Sequence, residues 1–254
     1  MAETRLPVLR AKPSEIAERA LVVGEPERAK WCAGLLDDAV EVGRYREYVT
    51  FTGAFQGTSI TICSHGVGSG GAAVAFHELF LAGVTTVVRA GTCGGMQAAI
   101  PDGQIIVGTG AIRRDGTSNE LVPIEYPAVA HHEVVAALLA SCQARGVARP
   151  PAGIILTKAT LYEGPQANPF DLWVRAGVVA AEMEFATLLV MAGIRGLRAG
   201  GLFVSDGNAV RKREAGAAKD FSYDPHREVV KANTQTMLRI AVAALAAIES
   251  FRPA

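Results

Sequence analysis

An excess of charge of either sign, a long apolar run and closely spaced cysteines are all missing from this sequence of 254 residues. Lys plus Arg equal Asp plus Glu at 25 each, so the chain lacks the broad positive field that non-specific binding to nucleic acid or anionic membranes requires. A local anion site is compatible with this balance. Aromatic residues make up only 6% of the chain, but half of it is apolar, which excludes a disordered or fibrous protein.

The cysteines are too far apart for a zinc site or a disulfide framework. Zinc ligands usually come in close pairs, whereas these residues are separated by about thirty positions or more. No apolar run approaches the roughly 18 residues of a membrane span, and MAETRLPVLRAKPSE has no apolar core before a small-residue cleavage site. We therefore expect a cytoplasmic protein without a metal. The cysteines are Cys32, Cys63, Cys93 and Cys142.

Short apolar or β-branched runs alternate with helix-length patterns, which predicts an α/β fold with a mixed central sheet flanked by helices. Residues Val40 to Phe55 alternate with period two and predict an antiparallel hairpin or edge strands. No linker or repeat divides the chain, so we expect residues 1–254 to form one domain. We interpret Gly207 to Pro225, with RKRE and AKD, as a mobile loop with solvated charges. Strands are predicted at 20–24, 58–63, 85–90, 104–109, 153–157 and 197–205, and helices at 72–81, 132–144, 169–177 and 184–192, with a closing helix that carries the apolar stripe Val230, Met237, Ala241, Leu245 and Ile248.

Polar residues follow several predicted strands at their carboxyl ends, which converge on one rim of an α/β sheet where ligands bind. In GEPERA, Gly24 lets the backbone approach a ligand and Arg28 lies in the first turn of a helix. This outlines an anion cradle, although a plain strand-to-helix turn with a solvated arginine explains the same pattern. In SHGVGSGG, we expect His65 to make local hydrogen bonds rather than act as a catalyst.

The segment RAGTCGG places Arg89 at the end of an apolar strand. An uncompensated buried charge is costly, so Arg89 requires an anion or a carboxylate. Thr92 and nearby amides would complete a phosphate site around a bidentate guanidinium, and a structural salt bridge is the alternative. No paired general base is identifiable for Cys93, so a reactive thiol is not expected.

Carboxylates mark two further segments. In AAEMEFATLL, Glu182 and Glu184 flank Met183, and carboxylates in so apolar a segment need strong donors such as vicinal sugar hydroxyls. Capping of the neighbouring backbone is the alternative for both. In LFVSDG, Asp206 ends a strand where partial desolvation favours the neutral acid, which can donate a proton; a turn-initiating Asp before Gly is the alternative.

In chain order, five motifs of this sequence resemble the series found in the nucleoside phosphorylase I family: GEPERA, SHGVG, RAGTCGG, AAEMEFATL and VSDG. This family includes purine nucleoside phosphorylases, uridine phosphorylases and related nucleosidases. The similarity runs from about Ala20 to Gly207. It implies a single α/β domain around a distorted barrel-like sheet, homo-oligomers that include hexamers of dimers, and sites completed by a neighbouring subunit.

The resemblance also implies a role for each matching residue. Asp206 matches the acid that protonates a purine at N7, and Glu184 matches the residue that accepts from the ribose 2′ and 3′ hydroxyls. Arg46, in RYREYVTF, matches the arginine donated across a dimer interface, and Tyr162, in TLYEGPQ, falls in the loop that stacks on the base. By the same match, Gly24, Arg28, Arg46, Arg89 and Thr92 bind phosphate, Met183 and Glu184 bind ribose, and Tyr162, Gln166 and Asp206 bind the base.

The sequence also departs from the family pattern in three places. The stretch RLPVLRAKPSE lacks the His with which many members reach the neighbour's ribose 5′ hydroxyl. Gly70 and Gly71 stand where Pro-Ser usually follows the glycine pair of this loop. Gln166 is offset and no arginine follows it at 167–169, so the Gln and Arg pair that recognises uracil is not intact. The last departure favours purines over pyrimidines.

The reaction implied by the resemblance is phosphorolysis of a nucleoside to the free base and ribose or deoxyribose 1-phosphate. It passes through an oxocarbenium-like sugar, so the enzyme must hold phosphate beneath C1′ and make the base a better leaving group. Arg89 and Asp206 are the expected catalytic residues for these two tasks, with phosphate as co-substrate and no metal or organic cofactor. A uridine phosphorylase, a hydrolytic nucleosidase and a non-catalytic nucleoside-binding module remain alternatives.

Overall fold

One mixed sheet organises the chain. The structure, a computed structural model, describes residues 4–162, 164–166, 168–214 and 226–250. The strands are β1 (Arg19–Val23), β2 (Asp37–Tyr45), β3 (Tyr48–Phe55), β4 (Thr58–Ser64), β5 (Thr86–Gly95), β6 (Ile105–Arg114), β7 (Ala128–Val129), β8 (Ala152–Lys158), β9 (Ala180–Glu182) and β10 (Arg198–Asn208). The helices are α1 (Pro26–Ala33), α2 (Ser69–Leu81), α3 (His132–Ala144), α4 (Phe170–Arg175), α5 (Phe185–Gly193), α6 (Ala209–Glu214) and α7 (Glu228–Ala247), with short 3-10 turns at Pro13–Glu15 and Thr117–Glu120.

The sheet closes on itself along part of its length. Its strand order is β10-β6-β8-β9-β5-β1-β4-β3-β2, with β7 beside β6, and β10 also pairs with β5. Five strands, β5, β9, β8, β6 and β10, therefore form a ring, while β1 to β4 extend from it as an open sheet. The carboxyl ends of the parallel strands β1, β4, β5 and β10 lie at the same rim.

Helices pack on both faces of this sheet. On one face, Phe76 of α2 and Phe185 of α5 pack with Phe203 of β10. On the other, α1, α3 and α7 contribute a second buried cluster that includes Leu138 and Leu245. Successive side chains of a strand point to opposite faces, and β1 accordingly divides its residues between the two clusters. The α5 segment FATLLVMAG is apolar on all sides, which explains why nearly every residue in it is buried.

The predicted α/β class is confirmed, and each predicted strand and helix has a counterpart in the structure. Residues Val40 to Phe55 form most of the antiparallel pair β2 and β3. The short strands β7 and β9 were not predicted. None of the helices in the described ranges has the length and apolar character of a membrane span. That residues 1–254 form one domain stays a prediction.

The predicted loop after Gly207 is wrong for its first part, because β10 continues to Asn208 and α6 follows directly. The Asn208 side chain explains this turn. Its Nδ2 donates to the carbonyls of Gln97 and Ile100 at 2.8 Å each, and its Oδ1 accepts from the backbone N–H of Arg211 at 3.0 Å. A side-chain acceptor at this position satisfies a backbone donor of the first helical turn. Residues 215–225 of the predicted loop lie outside the described residues.

Candidate active site

The candidate site lies at the rim where β1, β4, β5 and β10 end. Val22 of β1 is in register with Arg89 of β5, and Val23 is in register with Ser64 of β4. The backbone N–H of His65 then donates to the carbonyl of Val23 at 3.0 Å. This register brings the loops that begin at Gly24 and His65 beside the Arg89 strand, as expected for a sheet whose ligand site is at its carboxyl edge.

Arg89 is the centre of a buried polar group. It does not end its strand as the sequence suggested, because β5 continues to Gly95. Only 4% of its surface is exposed. Its Nε donates to Oε2 of Glu182 at 3.1 Å, its Nη1 to Nε2 of His65 at 2.9 Å, and its Nη2 to Oε2 of Glu184. A Cβ at Gly91 would lie 3.0 Å from Nη2, so the glycine leaves the space that the guanidinium occupies. The sequence left phosphate or carboxylate open as the partner of Arg89, and here it is paired with carboxylates.

Glu182 is a helix cap. Its carboxylate accepts from the backbone N–H groups of Glu184 at 2.8 Å and Phe185 at 2.9 Å, and from the hydroxyl of Thr157 at 2.7 Å. The carboxylate therefore contacts both the positive end of the α5 dipole and the guanidinium of Arg89. The capping alternative considered from the sequence is therefore correct for Glu182, and this residue fixes both α5 and Arg89.

Glu184 links the start of α5 to the start of α2. Its Oε1 accepts from the backbone N–H of Gly68, which directly precedes α2, and the Ser69 hydroxyl donates to the Met183 carbonyl at 2.7 Å. Gly68 has φ +94°, a conformation that a side chain would strain. Burial raises the pKa of Glu184 above the ordinary carboxyl value, and the nearby Arg89 guanidinium opposes this rise. Met183 is half-buried beside it.

His65 is a neutral hydrogen-bonding residue. Because a guanidinium has no acceptor, Nε2 of His65 must accept from Arg89, which leaves Nδ1–H to donate to the Gly66 carbonyl at 2.8 Å. Burial, followed by the charge of Arg89, holds the pKa of His65 well below its usual 6.5. The expectation that His65 makes local hydrogen bonds is confirmed. Its contact with Arg89 was not foreseen.

Asp206 sits at a bulge in β10. The register between β10 and β5 shifts between Ser205 and Gly207, so Asp206 is the extra residue of the bulge. Bulges of this kind redirect a side chain and are frequent beside active sites. Asp206 is 4% exposed. Its backbone carbonyl accepts from Nη2 of Arg227 at 2.7 Å, which ties the bulge to the start of α7.

Cys93 lies between these charged groups and is inert. Burial is the largest cause that raises its pKa well above 9.0, followed by the charges of Asp206 and Glu182, and Arg89 opposes them. A thiol so strongly held in its protonated form is not a nucleophile, which agrees with the sequence interpretation. The charges of Asp206, Glu182 and Arg89 therefore all act on this buried position of β5.

The other predicted phosphate residues differ in how closely they approach this group. Arg28 is 16% exposed, pairs with Glu25 at 2.9 Å, and its charge contributes to lowering the pKa of His65. Thr92 is half-buried on β5. A Cβ at Gly24 would meet only the Gly66 carbonyl, at 3.9 Å, so the fold itself does not require a glycine there.

Three predicted residues lie away from the buried group. Arg46 lies in the β2–β3 turn at φ +53°, exposed over the Tyr45 ring. It lines a cavity of about 610 Å³ with Arg10 and Tyr48, and none of the residues of the buried group lines this cavity. Tyr162 is 77% exposed, and Gln166 is also exposed. Residues 163 and 167 of that loop lie outside the described residues. In the described parts of the chain, no group of three His, Cys, Asp or Glu side chains is arranged to hold a metal ion.

Sequence reasoning missed Thr157 as part of the site. Thr157 stands at the end of a predicted strand, so its position at the rim was a usable signal. Gly68 lies in SHGVGSGG, whose glycines favour close packing against a ligand or another loop, but its partner Glu184 is 116 positions away and could not be identified from the sequence.

The chain matches one family model and is similar to curated proteins over most of its length. A model described as the phosphorylase superfamily matches residues 18–246. A guanosine phosphorylase from Halorubrum lacusprofundi is 35% identical over 242 residues, covering 95% of this chain and 98% of that protein. A uridine phosphorylase from Thermococcus kodakarensis is 38% identical over 201 residues, covering 74% of this chain and 72% of that protein.

Solved structures share the fold. A purine nucleoside phosphorylase from Toxoplasma gondii, in complex with immucillin-H, has a TM-score of 0.88 at 25% identity and covers 97% of each chain. A uridine phosphorylase from Vibrio fischeri has a TM-score of 0.83 at 24% identity, covering 97% of this chain and 99% of that one. Both agree with the mixed sheet and flanking helices described above.

Proposed function

The chain belongs to the phosphorylase superfamily, and we propose on that premise that it cleaves the N-glycosidic bond of nucleosides with phosphate, purine nucleosides being preferred. The observation that carries this proposal is the buried polar group at the sheet rim. Arg89 of β5, Glu184 at the start of α5 and Asp206 near the end of β10 contribute to it, and each is almost fully buried. The products are the free base and ribose or deoxyribose 1-phosphate, and phosphate is the co-substrate.

The phosphate subsite consists of the Arg89 guanidinium, Arg28, Thr92 and the backbone at Gly24. Glu182 holds the Nε side of Arg89, so the guanidinium stays fixed while it orients and neutralises the nucleophile. A fixed fork of donors matches the oxygen atoms of phosphate better than a mobile one.

The ribose subsite consists of Glu184 and Met183. An ionised carboxylate has about four acceptor positions. Glu184 uses positions for Gly68 and Arg89 in the structure, and vicinal ribose hydroxyls fill the remaining ones. Because one carboxylate contacts both the sugar and Arg89, the sugar is held in a fixed relation to the phosphate.

The base subsite is assigned to Asp206, with Tyr162 and Gln166 at the exposed edge. Asp206 donates a proton to N7, so that a purine leaves as a neutral base. Its buried position at the bulge of β10 supports this assignment. Uracil has no N7, and the chain lacks the Gln and Arg pair expected for it.

Cleavage of uridine is the second candidate. The observation in its favour is the relative from Thermococcus kodakarensis, a uridine phosphorylase that is 38% identical over its matched region. A hydrolytic nucleosidase has less need of Arg28, Arg46 and Arg89 together. A non-catalytic binding module has in its favour only the missing N-terminal His and the altered glycine loop.

The proposed assembly is a homo-oligomer built from dimers, with hexamers as the larger form, acting in the cytoplasm. Arg46 supports a dimer. It lies outside the buried group of its own chain, at the tip of a hairpin, where a long side chain can reach a neighbouring site.

The test is an activity assay with and without phosphate over inosine, guanosine, adenosine, methylthioadenosine, uridine and thymidine. Phosphate-dependent release of base together with a pentose 1-phosphate is the expected result, highest with a purine nucleoside. Base release without phosphate would assign a nucleosidase, nucleoside binding without cleavage would assign a binding module, and preference for uridine would overturn the purine assignment alone.

A further inference from the structure

The three consecutive cations in the last turn of α6, Arg211, Lys212 and Arg213, do not share one environment. The Arg211 guanidinium donates twice to the carbonyl of Ala98, at 3.2 Å from Nε and 2.8 Å from Nη2. The Arg213 guanidinium lies 4.2 Å from the centre of the Phe170 ring. These contacts, together with the Asn208 cap, hold the short helix against the loop after β5 and against α4.

Lys212, between these two arginines, turns back towards the end of β10. A Cβ placed on Gly207 would lie 3.2 Å from Nζ of Lys212 and 3.3 Å from its Cε. The end of the lysine side chain therefore lies beside Gly207. Gly207 directly follows Asp206, so the ammonium group lies against the bulge that carries the buried acid. The RKRE segment is thus helical and not a loop, with Arg211 and Arg213 exposed as expected for solvated charges and Lys212 half-buried.

The edge of a purine that carries N7 also carries the substituent at position 6. Guanine and hypoxanthine present two acceptors there, N7 and O6, whereas adenine presents the N7 acceptor and an amino donor. An ammonium group has three donors and no acceptor. It can therefore bind O6 but has no hydrogen bond to offer to a 6-amino group.

We propose that Lys212 is a specificity-determining residue that donates a hydrogen bond to O6 of a 6-oxopurine while Asp206 donates a proton to N7. Lys212 thereby selects guanosine and inosine over adenosine. The inference rests on the proposed function of the rim. Negative charge on O6 grows as the glycosidic bond breaks, so the ammonium group stabilises the transition state more than the ground state. Removal of the Lys212 ammonium group therefore lowers kcat for 6-oxopurine nucleosides more than it raises their KM.

The test compares Lys212→Met with Lys212→Arg on guanosine and adenosine, measuring kcat and KM for each. Lys212→Met should lower kcat/KM for guanosine by about 10- to 100-fold and that for adenosine by about 3-fold or less, which reduces the ratio between the two. Lys212→Arg retains a cation with donors and should keep most of the ratio. Lys231→Met, at an exposed lysine of α7, is the matched control and should change neither value.

Equal losses for both nucleosides, or an unchanged ratio, would overturn the proposal, because a merely structural lysine affects every substrate alike. Calorimetric binding of the free bases guanine and adenine separates this inference from the proposed function. Preference for guanine that disappears in Lys212→Met supports the lysine even if no nucleoside is cleaved. Cleavage of purine nucleosides with guanine binding unchanged in Lys212→Met rejects the lysine while the phosphorylase assignment stands.

Discussion

Arg89 donates from Nη2 to Oε2 of Glu184, so the residues assigned to phosphate and to ribose are bonded to each other. Neither side chain can move without changing the environment of the other, since both are buried. Glu182 and the N–H of Gly68 hold the opposite sides of this pair. The arrangement predicts that the two substrates bind with mutual dependence, because each contacts one member of the same ion pair.

Replacement of Arg89 tests the phosphate subsite and the fold together. We expect Arg89→Ala to reduce phosphorolysis by ~10²-fold or more through loss of the oriented cation. Sequence alone suggests that this variant keeps its fold largely intact. The structure indicates a lower free energy of unfolding, by about 3–5 kcal/mol, because Glu182 and Glu184 would be left buried without their cation. Steady-state kinetics with varied phosphate and denaturant unfolding measure the two effects.

Arg89→Lys separates activity from stability. Lysine keeps the charge but not the fork, so it should recover part of the stability and little of the activity. Arg175→Ala, at an exposed arginine that ends α4, is the control and should be unchanged in both measurements. Unaltered phosphate kinetics in both Arg89 variants would contradict the phosphate assignment.

His65 predicts a dependence of stability on pH. Its pKa is depressed in the folded chain, so the unfolded chain takes up a proton first as pH falls below 6.5. The stability due to neutral His65 is therefore complete above that value and is lost below it, by up to about 1.4 kcal/mol per pH unit. Denaturant unfolding between pH 5 and pH 8 should show a smaller loss on acidification in His65→Gln than in the wild type. The exposed His77, changed to Gln, should retain the wild-type loss; equal slopes in all three proteins would remove His65 as the cause.

The sequence alone predicts the structure where the pattern is local. It does not predict contacts between residues that are distant along the chain. Runs such as TTVVRA predict β5 because β-branched residues suit a buried strand. The need of Arg89 for an anion followed from burial, but the choice of Glu182 did not, because that residue lies 93 positions along the chain. The segment that forms α6 was predicted to be a loop for the same reason. The carbonyls that hold Asn208, just before this helix, come from residues more than 100 positions earlier.

Arg46 predicts that active sites are shared between subunits. If Arg46 reaches a neighbouring phosphate subsite, Arg46→Ala and Glu184→Ala subunits should each be inactive alone, and mixing them should restore some sites that contain both residues. Arg44→Ala is the control on the same hairpin, since Arg44 pairs with Glu41 on the surface. It should be active without mixing. A monomer by sedimentation at assay concentration would exclude this arrangement.

The role proposed for Asp206 predicts a preference for purine over pyrimidine nucleosides. A carboxylic acid at the bulge of β10 can protonate N7 and let a purine leave as a neutral base, whereas uracil offers no such atom. Asp206→Asn keeps the shape and the hydrogen bonding but supplies no acidic proton. We expect it to lower turnover of inosine or guanosine by ~10²–10⁴-fold, the usual range for general acid catalysis.

A 7-methylated purine nucleoside provides the sharpest comparison, because its base is already cationic and leaves without a proton from the enzyme. Its turnover should be much less affected by Asp206→Asn than that of guanosine, while Asp171→Asn, at an exposed acid of α4, should affect neither. Equal losses for guanosine and its 7-methylated form would mean that Asp206 does not act as the acid. If the wild type prefers uridine and Asp206→Asn leaves that turnover intact, the purine assignment is wrong, but phosphate-dependent cleavage stands because it depends on the Arg89 group and not on the acid.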